Sequence, residues 1–247
     1  MSKGTESSVR IRAGESEIRG ELFLPEGTGA VVIFAHGSGS SRHSPRNRYV
    51  AKFLNGNGFG LGTLLIDLLT SEEEEIDAYE GAYRFNVSLL KDRLLAATDW
   101  VSKNPLTSNM EIGYFGASTG AAAALMAAPE RPGLVRAIVS RGGRPDLAGE
   151  LLSTVKTPTL LIVGERDTDV LKLNQKAFDQ LQCREKKLEI IPGATHLFEE
   201  PGTLENAAEA ASNWLRGHLA FRRQDQAQPE RRRRNPVLSL FADEEEL

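Results

Sequence analysis

The stretch Met110-Glu111-Ile112-Gly113-Tyr114-Phe115-Gly116-Ala117-Ser118-Thr119-Gly120-Ala121-Ala122-Ala123-Ala124-Leu125-Met126 decides how this chain is read. It opens as an apolar strand and closes as a helix of small residues. Between the two stands G-x-S-x-G, Gly116 to Gly120. Strand, G-x-S-x-G, helix is the context in which this motif makes a nucleophile elbow, a sharp turn that lifts a serine hydroxyl above the sheet. Such a serine sits in a strained backbone conformation. The residues two positions either side of it must be small, or strand and helix collide. The turn also aims the first N–H groups of the helix at any anion that forms there.

Outward from this motif, apolar runs alternate with helical patterns. Ala30 to Ala35 and Gly60 to Leu69 read as strands buried on both faces. Leu134 to Ser140, Thr159 to Val163 and Leu188 to Ile191 read as three more. Helices are predicted over Arg48 to Leu54, stopping at Gly56 and Gly58, and over Val87 to Val101, ended by Asn104-Pro105. Two further helices are predicted over Leu173 to Leu181 and Leu204 to Leu219. Ser71-Glu72-Glu73-Glu74 resembles a capping box, and the Glu run reads as a solvated face. Val9 to Arg12 and Glu17 to Leu24 alternate about Ala13-Gly14-Glu15-Ser16, which predicts an antiparallel hairpin. The class is therefore α/β: a mostly parallel sheet of about eight strands with helices on both faces. Between Ser140 and Thr159 there is room for a short helix but not for a large cap domain, so the site is expected to be open.

Composition sets the outer bounds. The chain has 247 residues, enough for one catalytic domain, placed at 1–220. Residues 221–247 change character: Arg231 to Arg234 and Asp243 to Glu246 flank an apolar Val237-Leu238-Ser239-Leu240-Phe241, the pattern of a charged, flexible tail. A net charge of −4 carries no basic excess that would point to nucleic acid. The single cysteine, Cys183, has no partner for an internal disulfide and fits a reducing cytoplasm. The polar start, Met1 to Glu6, has no apolar segment of a signal peptide, and no run is long enough to span a bilayer. A cytoplasmic protein without a membrane partner is expected. There is no H-E-x-x-H and no His/Cys cluster, so neither metal nor other cofactor is expected.

A serine hydroxyl needs a base to take its proton, and the base needs an orienting carboxylate. On this topology the order along the chain is serine, acid, histidine, each just past the C-terminal end of a strand. Of four histidines, His196 in Pro192-Gly193-Ala194-Thr195-His196-Leu197-Phe198 follows the last strand. His218 falls inside the last helix. The acid is sought in Gly164-Glu165-Arg166-Asp167-Thr168-Asp169. Asp167 is first choice, Asp169 second or a helix cap, and Glu165 third. The oxyanion donors are expected at the N–H groups of Thr119 and Ser38, the latter in the loop His36-Gly37-Ser38-Gly39-Ser40-Ser41. His36 reads as a scaffold residue for that loop. Arg42, Arg46, Arg141 and Arg144 fall on two loops at the same end of the sheet. They either clamp a carboxylate or phosphate on the substrate or tie the loops to carbonyls and acids such as Asp67; the sequence leaves both roles open.

With these residues in place the chain resembles the α/β-hydrolase superfamily over roughly Val9 to Leu219. His36-Gly37-Ser38-Gly39-Ser40, the G-x-S-x-G around Ser118, and Gly193-Ala194-Thr195-His196-Leu197-Phe198 resemble the dienelactone hydrolase-like group. Dienelactone hydrolases proper use a cysteine nucleophile. Serine at 118 points instead to ordinary carboxylic esters. Some similar domains occur fused to phosphoribosyltransferases, which suggests metabolite chemistry. The resemblance implies a serine esterase acting on small or medium soluble esters. An acyltransferase or perhydrolase on the same residues is the alternative, and a binding module that keeps the fold is a third reading. Oligomeric state is not set by the sequence.

Overall fold

The computed structural model describes residues 3–56 and 60–219. The predicted helix stop at Gly58, and the tail from 221, lie outside the described residues. Ten-residue strands β1 (Gly4–Ala13) and β2 (Ser16–Pro25) form the expected hairpin, turning at Gly14. The six others are β3 (Ala30–Ala35), β4 (Gly62–Ile66), β5 (Glu111–Ala117), β6 (Val135–Arg141), β7 (Thr159–Gly164) and β8 (Lys186–Ile191). They join the hairpin in one eight-stranded sheet, ordered β1-β2-β4-β3-β5-β6-β7-β8. Pairing is antiparallel from β1 to β4 and parallel from there on.

The apolar runs are continuous because both faces of the sheet are covered. One face carries Ile33, Leu64, Tyr114 and Ile138 against α3 (Val87–Lys103) and α4 (Thr119–Ala127). The other carries Val32, Phe34, Phe115 and Val139 against α1 (Pro45–Asn55) and α6 (Thr203–His218). Remaining helices are α2 (Ser71–Glu80) and α5 (Thr168–Gln180). Residues 145–154 form only a 3₁₀ stretch kinked at Gly149, so no large cap domain covers this end of the sheet. This is the α/β-hydrolase architecture. Among the described residues no helix is long and apolar enough to cross a membrane.

Helix starts differ from the sequence reading in an instructive way. α1 begins at Pro45, behind a Ser44 cap whose hydroxyl accepts from Asn47 N, not at Arg48. α5 begins at Thr168 rather than Leu173. The first turn of α1 lacks the apolar period that marks a helix, and α5 opens on Thr168-Asp169, which continue the polar turn before it. The capping box is present but shifted by one residue: Thr70 Oγ1 accepts from Glu73 N, and Glu73 accepts from Thr70 N. The Glu run is only partly a solvated face. Glu73 also binds the buried Arg93 (2.6 Å), and Asp77 one turn on is itself buried.

Candidate active site

Ser118 occupies the turn between β5 and α4 at φ 49° and ψ −120°, a backbone region disfavoured for any residue with a side chain. The flanking glycines show why the turn is possible. A Cβ on Gly116 would lie 2.5 Å from Ala121 Cα, and one on Gly120 would lie 2.3 Å from the Ala35 carbonyl. The neighbouring chain holds the strain in place. Ser118 N donates to the Arg141 carbonyl (3.3 Å), and the Ser118 carbonyl accepts from Arg144 N and Ala121 N (both 3.1 Å).

Asp167 follows β7 and stands in the capping position of α5, yet its carboxylate makes no capping bond. It accepts instead from His196 Nδ1–H at 2.6 Å. That bond assigns the proton to Nδ1 and leaves Nε2 as the basic nitrogen. Asp167 is largely shielded, with its side chain 13% exposed. Asp169 is 92% exposed and pairs with Lys172, so it neither caps the helix nor meets His196. Glu165 accepts from Gly193 N (2.7 Å), and Glu200 accepts from Thr195 N (3.1 Å), so two carboxylates brace the His196 loop. Phe198 completes the bracing from below: it is buried at the unusual φ of 57°. His218 binds the Trp214 carbonyl and Glu185, away from this loop.

The loop carrying Ser38 is held to the start of α4. Ser38 Oγ donates to the Arg84 carbonyl (3.1 Å), which leaves Thr119 Oγ1 to donate to Ser38 Oγ (3.1 Å). Gly37 packs against the nucleophile so closely that a Cβ there would lie 2.9 Å from Ser118 Cβ. Thr119 N belongs to the first turn of α4, where an N–H has no intrahelical acceptor. His36 is buried and uses both ring nitrogens: Nδ1–H donates to the Gly37 carbonyl (2.9 Å) and Nε2 accepts from Leu68 N (3.0 Å). Burial holds its pKa below the ordinary 6.5, so the ring is neutral and serves as scaffold.

A cavity of about 340 Å³ opens beside Ser38 and Thr119, lined also by His36, Leu68, Glu74, Asp77 and Arg84. Glu74, Asp77 and Arg84 were not anticipated from sequence. Asp77 accepts from the backbone N–H groups of Tyr83 (2.7 Å) and Arg84 (3.0 Å) and pairs with the Arg84 guanidinium. Burial alone would raise this carboxyl; the Arg84 and Tyr83 bonds outweigh it and hold the pKa below the usual range. Partial burial, then the nearby Asp67, push Glu74 the other way. A larger depression of about 1000 Å³ runs along β2 and α1 and includes none of the predicted site residues.

The four predicted arginines divide into two kinds. Arg42 is engaged by Asp67 through both its backbone N–H and its guanidinium, with Glu21 at 3.6 Å. Arg144 forks onto Asp146 at 2.8 and 2.7 Å. Both tie their loops together. Among the described residues Arg46 has only a long contact (3.4 Å) to the exposed Glu199, and Arg141 has no acid. Arg141 Nη2 donates to Asn47 Oδ1 (3.1 Å), and its buried Nε has no partner among the described residues.

The family is decided by a match to its profile. A sequence profile described as the dienelactone hydrolase family matches residues 19–224. The chain belongs to the dienelactone hydrolase family. Relatives agree. A solved structure described as a dienelactone hydrolase from Anabaena variabilis is 55% identical; the match covers 88% of this chain and 99% of that one, with a TM-score of 0.85. An esterase from Pyrococcus furiosus superposes with a TM-score of 0.71 over 88% of this chain and 92% of its own, at 18% identity, which shows the shared fold. Proteins from two Mycobacterium tuberculosis strains, named "Putative phosphoribosyl transferase", are 53% identical over 216 residues. That match covers 87% of this chain and 47% of theirs, so the chain spans about half the length of these curated relatives. Family membership makes this a hydrolase-family chain with serine at the elbow.

Proposed function

We propose that the protein is a serine hydrolase of carboxylic esters, working through an acyl-enzyme on Ser118, His196 and Asp167. The observation that carries the reading is the 2.6 Å bond from His196 to Asp167 at the end of β7, two strands from a strained Ser118 at the end of β5. Nε2 of His196 removes the Ser118 proton as Oγ attacks the ester carbonyl. The N–H groups of Thr119 and Ser38 hold the developing oxyanion. His196 then protonates the leaving alcohol, activates water and releases the acid. Asp167 keeps the imidazole in the required tautomer and stabilises the imidazolium. Among the described residues Ser118 Oγ forms no hydrogen bond, and in free enzymes the contact from nucleophile to base often tightens only with substrate bound.

The substrate class we assign is small to medium soluble esters, admitted by the open site beside Ser38. The phosphoribosyl transferase name belongs to proteins about twice the matched length. We assign that transfer chemistry to no residue of this chain. An esterase screen tests the proposal: short p-nitrophenyl esters should be hydrolysed by the wild type and not by Ser118→Ala. Adding an alcohol or peroxide and analysing products separates hydrolysis from acyl transfer. Equal turnover by the wild type and Ser118→Ala would overturn the proposal.

A further inference from the structure

Arg141 poses a physical problem that the acyl-transfer chemistry leaves unsolved. Its residue is 7% exposed, and burial, followed by the nearby Arg46, pushes its pKa down to about 10. It is therefore still a cation at neutral pH. A buried charge without a counter-charge is costly. Among the described residues Arg141 has none. Its guanidinium carbon lies 6.0 Å from the Phe115 ring and 5.7 Å from the Phe198 ring, and its side-chain hydrogen bond among the described residues goes to the neutral Asn47. The aromatic faces recover part of the cost, but Nε remains buried without an acceptor.

The surroundings add positive potential. Asn47 belongs to the first turn of α1, and that turn holds no acid; it holds Arg46. A cation there opposes the helix dipole, whose N-terminal end favours anions. Arg46 is held by no buried carboxylate, only by Glu199, whose side chain is 66% exposed and 3.4 Å away. Exposed pairs of that kind contribute little and exchange readily. The backbone of Arg141 lies next to the proposed nucleophile. The Arg141 carbonyl accepts from Ser118 N, and Phe198 sits two residues beyond His196. Two neighbouring guanidiniums match a dianion better than a single negative charge.

We propose that Arg141 and Arg46 form a subsite on the His196 side of Ser118 that binds a phosphate group of the substrate. The proposal rests on the esterase reading for its meaning as a substrate site, but not for binding itself. It narrows the substrate class to phosphate-bearing esters. Glu199 occupies Arg46 when the subsite is empty and is displaced when the phosphate enters.

Calorimetric titration of the full chain separates this from the catalytic reading. The probes are sn-glycerol 3-phosphate, D-glycerate as the matched carboxylate, and glycerol. Glycerol phosphate should bind the wild type and Ser118→Ala alike and glycerol should not bind. Glycerate should bind at least tenfold more weakly than the phosphate. Arg46→Met, on a side chain 32% exposed, should weaken phosphate binding about ten- to a hundred-fold. Glu199→Gln should strengthen it by freeing Arg46. The subsite is refuted if glycerol phosphate does not bind, if glycerate binds as tightly, or if Arg46→Met and Glu199→Gln both bind as the wild type does. Loss of p-nitrophenyl ester turnover with intact phosphate binding would count against the esterase reading alone, and the reverse result against the subsite alone.

Discussion

The two sides of Ser118 are charged by different rules. On the side facing α2, each arginine described above has an acid. Arg84 holds Asp77, and Arg42 holds Asp67. On the side facing α1, Arg141 is more deeply buried than either and has none among the described residues. In sequence the loop arginines looked alike. Folding turned some into ties between loops and left one as an unbalanced charge. A paired cation is explained by the architecture it holds together. An unpaired one needs an explanation from outside the chain, and the proposed phosphate ligand would supply it.

Of the changes that leave Ser118 and His196 in place, the largest effect expected near this cleft is on the acid that orients the base. Asp167→Asn should lower kcat for a p-nitrophenyl ester by about ten-thousand-fold, because the amide favours the wrong imidazole tautomer. Asp169→Asn, altering a carboxylate exposed to solvent, should leave kcat almost unchanged. Reversed results would move the acid to Asp169 and break the account of the His196 loop.

A smaller effect sharpens the paired side. Asp77→Asn removes the negative charge that Arg84 and two backbone N–H groups share. Asp77→Asn leaves Arg84 without its counter-charge, so the denaturant midpoint should fall clearly below that of the wild type. An unchanged midpoint would show that the pair does not hold the loop under Ser38.

The smallest effect, and the most telling contrast, belongs to the unpaired side. Replacing a buried, unbalanced charge by an apolar residue is often neutral or stabilising. Arg141→Met loses the bond to Asn47 but sheds the desolvation of the guanidinium, so stability should stay within about 1 kcal/mol of wild type. A loss as large as that of Asp77→Asn would make Arg141 a structural residue and remove the contrast between the two sides.

What the sequence revealed follows the range of the interactions involved. Ser118, Asp167 and His196 each sit in a short local context, a strand end followed by a turn, and local pattern is sufficient to find them. The same holds for β3, β4 and β7, whose uniformly apolar runs report burial on both faces. Helix starts at Pro45 and Thr168 escaped because α1 opens on a polar turn and α5 on Thr168-Asp169, which continue the polar loop before them. The pairing of Arg84 with Asp77 spans a loop that carries no periodic signal. The contact of Arg141 with Asn47 spans 94 residues. Contacts across such distances are made by the sheet order and leave no mark on either segment alone.

The central claim is that Ser118 is the nucleophile. Its most direct test is treatment of the native protein with a serine-directed phosphonate, followed by peptide mass spectrometry. The account predicts a single adduct, on Ser118, formed in step with loss of ester hydrolysis and absent in Asp167→Asn on the same time scale. Ester hydrolysis that persists with Ser118 unlabelled, or an adduct on another serine that abolishes activity, would contradict it.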